Sequence, residues 1–392
     1  MTFVSEILAG FEALAKPQKR FMLVMFSAFF AFRGRANRTN LHRYGAPSPR
    51  TQYRQARKEF DFVKFNLDSL KIEDIEGHEQ VGVIDESFIK KSGKHTAGIG
   101  KFWSGCASRV LKGQSISLIA IADLTNHTAY SVNARQIPPK NSNETQLKFA
   151  IRHYNDIRKS LPDSVRIWLA DGAYAKKPFV DGICQNDDIL VSKLRKDAAM
   201  QHLYHGPRRP GPGRPRKYDG KVIISDISHW TFVRNIDNNV SMFTNRFWHN
   251  SLKMEIRVVM LRRFTNNKWT QVLLFSTQPE MPPEEVYRLY SSRFQIEFIF
   301  RDAKQHTGLE DAQVRDLKSL DFHFNLSLAA LNILRLEERE RGHSVISIAS
   351  ARRRKQNEDL IFRIFSALDI EPTDPLIQPH LPALIDHGLI AA

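Results

Sequence analysis

From the N-terminus to about residue 75, apolar residues recur at three- and four-residue spacing, which predicts helices punctuated by Asn40, Pro47 and Pro49. No strand-like run interrupts this stretch. Residues 21–32 (FMLVMFSAFFAF) look like a signal-peptide core, but the run starts twenty residues in and no small-residue cleavage site follows. It is also too short to span a bilayer, so it reads as an apolar helix buried in an N-terminal helical domain.

The pattern then changes to short apolar runs, at 80–90 (QVGVIDESFIK), 115–123 (SISLIAIAD), 128–132, 164–171 (SVRIWLAD) and 188–194 (DILVSKL). These predict strands, and the helix-like spacing of 144–160 and 176–186 between them implies a mixed sheet flanked by helices. Residues 205–217 (HGPRRPGPGRPRK) hold four prolines and three glycines among dense Arg and Lys, which predicts an extended loop. Alternation over 221–235 and 254–276, around Asn238, Asn239, Asn266 and Asn267, predicts a second β-rich piece with turns at the asparagines. A Pro-Pro start and an early Glu-Glu pair predict one long helix over 283–308, after which the chain reads as helical to its end. The division that follows is a helical region at 1–75, a core at 76–200 and 281–340, a β-rich insertion at 201–280 and a helical region at 341–392.

Composition adds a partner class. The 392 residues are 42% hydrophobic and 26% charged, as in a packed globular protein, and the net charge of +16 favours a polyanion such as nucleic acid. Eight Arg or Lys and no acid lie between Arg33 and Lys58, so a helical face there could meet phosphates or simply be a solvated basic surface. Cys106 and Cys184 form no Cys-x-x-Cys pair, which argues against a disulfide framework or zinc cluster and for a reducing cytoplasm.

Two acids stand where acids are costly. Asp85 lies inside an apolar strand, and Asp171 ends another just before Gly172; each needs a cation, an Arg or Lys partner, or an exposed sheet edge. On the long predicted helix, Tyr290, Arg293, Glu297 and Lys304 are spaced by three, four and seven residues, which puts them on one polar stripe flanked by Phe294, Ile296, Phe298 and Phe300. Arg293 and Glu297 could also merely pair at i and i+4.

The Tyr-x2-Arg-x3-Glu-x6-Lys spacing of Tyr290, Arg293, Glu297 and Lys304 resembles the signature of a large branch of bacterial insertion-sequence DDE transposases. The VIDES context of Asp85, with the Lys-Ser-Gly-Lys-His run after it, and the WLADGAY context of Asp171 are similar to that family's first and second acids. The resemblance covers roughly residues 78–310. It implies a ribonuclease-H-like α/β core, a β-rich insertion among the 125 residues between Asp171 and Glu297, and an N-terminal domain that binds DNA ends. It also implies Asp85, Asp171 and Glu297 as catalytic ligands of two Mg²⁺ ions, with Mn²⁺ able to substitute, and cut-and-paste transposition of double-stranded DNA by a homodimer in the synaptic complex. Tyr290, Arg293 and Lys304 would meet DNA, the cellular location would be the cytoplasm at the nucleoid, and no membrane is involved. Related transposases stack a Trp of the insertion on a flipped base, for which Trp230 and Trp248 are candidates beside the ordinary reading of a core Trp. Arg214 and Arg216, in the Gly-Arg-Pro-Arg of the basic loop, resemble arms that lie in the minor groove. A ribonuclease-H-like nuclease without strand transfer, or an inactive DNA-binding descendant of a transposase, would carry many of the same features.

Overall fold

The computed structural model describes residues 2–72, 77–105, 107–139, 144–208, 214–343 and 346–390. Helices α1 (Thr2–Ala9), α2 (Lys16–Ala31), α3 (Arg38–Arg43), α4 (Pro49–Gln55) and α5 (Phe62–Ile72) open the chain. The Phe-rich run lies in α2 as expected: Phe21, Met22, Met25, Phe26 and Phe29 are buried, and Phe26 stacks on Phe65 of α5 with ring centroids 4.9 Å apart.

Strands β1 (Gln80–Ile89), β2 (Gly100–Ser104), β3 (Arg109–Asp123) and β4 (Thr128–Gln136) follow, then α6 (Gln146–Arg158), β5 (Ile167–Ala170), α7 (Lys177–Cys184) and β6 (Ile189–Leu194). The next segment holds β7 (Met200–Leu203), β8 (Tyr218–Lys221), β9 (Thr231–Asp237), β10 (Val240–His249), β11 (Met254–Thr265) and β12 (Lys268–Ser276). The remainder is α8 (Pro283–Ser292), α9 (Gln295–His306), α10 (Leu317–Glu340), α11 (Ile348–Ala367) and α12 (Leu381–Ile385).

The strands form one sheet in the order β2, β3, β1, β5, β6, β12, β11, β10, β7, β8, with β4 on β3 and β9 on β10. β1 with β5 and β5 with β6 run parallel, and the other pairings are antiparallel. Gln114 to Asp123 of β3 are buried without alternation, because helices cover the sheet there; α6 packs on β3, and α9 on β1, β3 and β4. The 201–280 region is not a separate sheet. β12 pairs with β6 from Leu273 opposite Leu194 to Ser276 opposite Val191, so these strands extend the same hydrogen-bonded ladder.

Helix α10 is buried over most of its length and seals the outer edge of β4 with side chains. Asn325 accepts from the Ala134 amide at 2.9 Å and donates to its carbonyl at 2.8 Å; Asn332 does the same at Ser131, at 3.0 and 2.8 Å. The two amides stand in for a missing neighbouring strand, satisfying backbone groups that an edge would otherwise leave open.

One prediction needs correction. The single helix over 283–308 divides at Arg293 and Phe294, where Arg293, Phe294, Ile296 and Glu297 donate to carbonyls three residues back rather than four. The joint is a tightened turn with i,i+3 bonding. Among the described residues, no helix is long and apolar enough to cross a membrane.

Candidate functional site

Register brings the first two acids together. Gly82, Val83 and Ile84 of β1 lie opposite Trp168, Leu169 and Ala170 of β5, and the next residues of the two parallel strands are Asp85 and Asp171. Gly82 is required, since a Cβ there would fall 2.7 Å from the Trp168 ring. The Trp168 indole N–H donates to Asp188 at 2.8 Å, and the buried Asp188 also accepts from the Tyr154 hydroxyl at 2.7 Å and from Arg158 at 2.6 Å. The Asp187–Asp188 pair divides its work: Asp187 makes a turn at φ 56°, and Asp188 anchors β5. Nothing in its sequence context marks it, since its three partners come from elsewhere in the chain. Beyond Asp171 the backbone passes close to β6, and a Cβ on Gly172 would meet the Lys193 carbonyl at 2.9 Å.

The third acid reaches this place through Arg293. One terminal nitrogen of its guanidinium donates to Asp85 at 2.8 Å and the other to Glu297 at 2.7 Å. The i,i+4 pair is therefore only half of what Arg293 does. Burial pushes the Asp85 carboxyl up to about 7 against the pull of Arg293, and the nearby charges of Asp171 and Glu86 push the same way. Glu86 is raised by burial and then by Asp171, and the buried Tyr174 hydroxyl is raised by burial and then by Glu86, Asp85 and Asp171. Alternation along β1 puts Glu86 on the opposite strand face from Asp85.

Tyr290 and Lys304 sit on either side. The Arg293 guanidinium lies over the Tyr290 ring at 5.8 Å. Lys304 donates to the Phe88 carbonyl of β1 at 2.8 Å and pairs with Glu310 at 3.2 Å, so it braces the strand that carries Asp85.

Among the described residues, no three His, Cys, Asp or Glu side chains converge as arranged on a point where a metal could sit, because Arg293 stands between Asp85 and Glu297. The donor set nevertheless fits a hard divalent cation. It is all carboxylate oxygen, it concentrates negative charge beside a buried acid, and the 43% exposed Glu297 side chain has room to turn.

The other predicted contacts are scattered. Trp230 is buried edge-on against Phe247 at 5.0 Å, and Trp248 packs on Tyr218 at 5.4 Å, so Trp230 offers no open face to a base. Of the basic loop, 209–213 lie outside the described residues; Arg214 is exposed, while Arg216 lies over the Tyr204 ring at 4.9 Å and pairs with Asp219. Arg33, Arg35, Arg43, Arg50 and Arg54 are exposed around α3 and α4. Sequence reading missed Trp269, 52% exposed at the β11–β12 hairpin, beside the Phe264 ring at 4.8 Å and under the Arg262 guanidinium at 4.2 Å. The turn asparagines that flank it were the available signal.

Comparison with known proteins gives a family. The family model described as transposase DDE domain matches residues 76–333. No curated protein matches the chain. Among solved structures, one similar chain comes from the cryo-EM structure of a piggyBac transposase synaptic complex with hairpin DNA, with 9% identity, coverage of 100% of this chain and 83% of that one, and a TM-score of 0.41.

Proposed function

Because the chain belongs to the transposase DDE domain family, we propose that it is a transposase that cuts insertion-sequence DNA ends and joins them to target DNA by two-metal-ion phosphoryl transfer. The reading rests on one observation: Asp85 and Asp171 end up side by side on parallel strands, with Glu297 joined to Asp85 through a shared guanidinium.

On this reading Asp85, Asp171 and Glu297 would hold two Mg²⁺ ions. Bound there, the ions would activate the attacking water or 3′-hydroxyl and steady the leaving oxygen of an in-line displacement. The protein's own part is orientation. Trp168 and Asp188 fix β5, Lys304 fixes the end of β1, and the helices around Arg293 present Glu297 to both. The core at 76–200 and 281–340 is ribonuclease-H-like, the 201–280 strands form the insertion, and 341–392 close the chain as a C-terminal helical region. The exposed cations of 33–58 bind the ends through phosphates, with Arg214 as a further contact, and a homodimer pairs two ends in the bacterial cytoplasm. Trp269, flanked by Phe264 and Arg262, is the stacking platform for an unpaired base.

Purified protein mixed with DNA carrying the element's ends and Mg²⁺ is expected to nick the ends and to give strand-transfer products with target DNA. Asp85→Ala, Asp171→Ala and Glu297→Ala should each abolish both. Retention of cleavage by all three variants refutes the assignment, and cleavage without strand transfer reduces the protein to a nuclease.

A further inference from the structure

Arg293 is held by more than its own helix turn. Its side chain is only 13% exposed, it contacts Asp85 on β1 as well as Glu297, and these contacts use both terminal nitrogens of one planar group. A guanidinium in this position does electrostatically what a metal ion would do: it neutralises two carboxylates that would otherwise repel each other and Asp171. It competes there with a divalent ion, because its N–H groups donate to carboxylate lone pairs that the ion would use and the two positive charges would repel.

We propose that Arg293 is the resident counter-cation of the metal-free site, and that a divalent ion enters only as the guanidinium releases Asp85 and Glu297. Arg293 therefore lowers the site's affinity for metal while keeping the acids in place before metal arrives. Once released, a positively charged group of fixed reach is free beside the acids for an anionic ligand. This rests on the assignment of Asp85, Asp171 and Glu297 as metal ligands made above.

The test is Mn²⁺ binding to the full chain without DNA, read by electron paramagnetic resonance of free Mn²⁺, for wild type, Arg293→Gln, Arg293→Lys and Asp85→Asn. Removing the competing cation in Arg293→Gln is expected to tighten binding about tenfold, within the usual range for two coupled sites. Arg293→Lys, whose single ammonium cannot span both acids, should fall between that variant and wild type. Asp85→Asn should lose the site. Unchanged or weaker binding in Arg293→Gln, with loss in Asp85→Asn, overturns the counter-cation role and leaves the ligand assignment intact. Unchanged binding in Asp85→Asn overturns the ligand assignment itself. If Arg293→Gln does not fold, Arg293→Lys decides alone: tighter binding than wild type supports the role, and equal or weaker binding overturns it.

Discussion

The indole of Trp168 lies across Gly82, face against backbone, at the pair of residues that sets the alignment of β1 with β5. Three residues further along, that alignment decides whether Asp85 and Asp171 stand next to each other.

Gly82→Ala is therefore expected to act on both stability and chemistry. The added methyl meets the ring at 2.7 Å, and overpacking of this kind costs about 1–3 kcal/mol. Urea unfolding would measure that loss. DNA cleavage should fall further than stability alone explains, since a small displacement of one acid relative to the other disturbs the reacting geometry.

Lys304 belongs to the stripe that resembles a DNA-contacting signature, yet its ammonium is committed to the Phe88 carbonyl and Glu310. Lys304→Met should lower stability by about 1–3 kcal/mol, the usual loss when a charged hydrogen bond is removed. The dependence of DNA affinity on salt should stay as in wild type, because no phosphate contact disappears. A slope reduced by about one ion would instead show that Lys304 leaves its partners for the backbone of DNA.

The tryptophans separate by exposure. Trp269→Ala should weaken binding of end DNA by about 1–3 kcal/mol in fluorescence anisotropy, the range for loss of one stacked base, while leaving the unfolding midpoint nearly unchanged. Trp230→Ala should do the reverse, since its ring is buried against Phe247 and truncating such a side chain costs about 3–5 kcal/mol.

His323 supplies a pH dependence. Its Nε2 donates to the Gly308 carbonyl at 2.8 Å and its ring meets Phe29 edge-on, between α10 and α2. Burial pushes its pKa down to about 4; the Gly308 carbonyl and Asp311 oppose the shift, and Lys91 and Arg38 add to it. A histidine neutral in the fold and free to charge when unfolded leaves stability intact above the ordinary value of about 6.5. Below that pH the unfolded chain takes up a proton that the fold refuses, so the contribution of His323 falls toward pH 4 with a slope approaching about 1.4 kcal/mol per unit. The Asp85 carboxyl, raised to about 7, works in the opposite direction over the same range, so chemical denaturation at pH 7.5, 6, 5 and 4.5 should show wild type losing stability relative to His323→Gln as the pH falls.

Much of this is legible in the sequence. The strands announced themselves as apolar runs, one holding Asp85 inside it and the other ending at Asp171, and the spacing of Tyr290, Arg293, Glu297 and Lys304 placed them on a common face. What stayed hidden depends on partners distant in sequence. Asp188 is marked by nothing local, because its partners Tyr154, Arg158 and Trp168 lie 20–34 residues away. Asn325 and Asn332, poor choices for a helix interior by propensity alone, make sense only once β4 lies beside α10 with its edge open. Arg293 could be matched to Glu297 from spacing, but its second partner, Asp85, is 208 residues away. The helix over 283–308 was drawn too long because neither Pro nor Gly marks the joint at Arg293.

The pairing of β12 with β6 has a mechanical side. A domain hung on flexible linkers can wander, but a strand hydrogen-bonded into its neighbour cannot slide or tilt without breaking the ladder. The hairpin that carries Trp269 is thus a stiff arm mounted on the same plate as Asp85 and Asp171, and whatever its tip grips stands at a set distance from the acids. The span from tip to acids is thereby set both across the strands of the sheet and along β11 and β12.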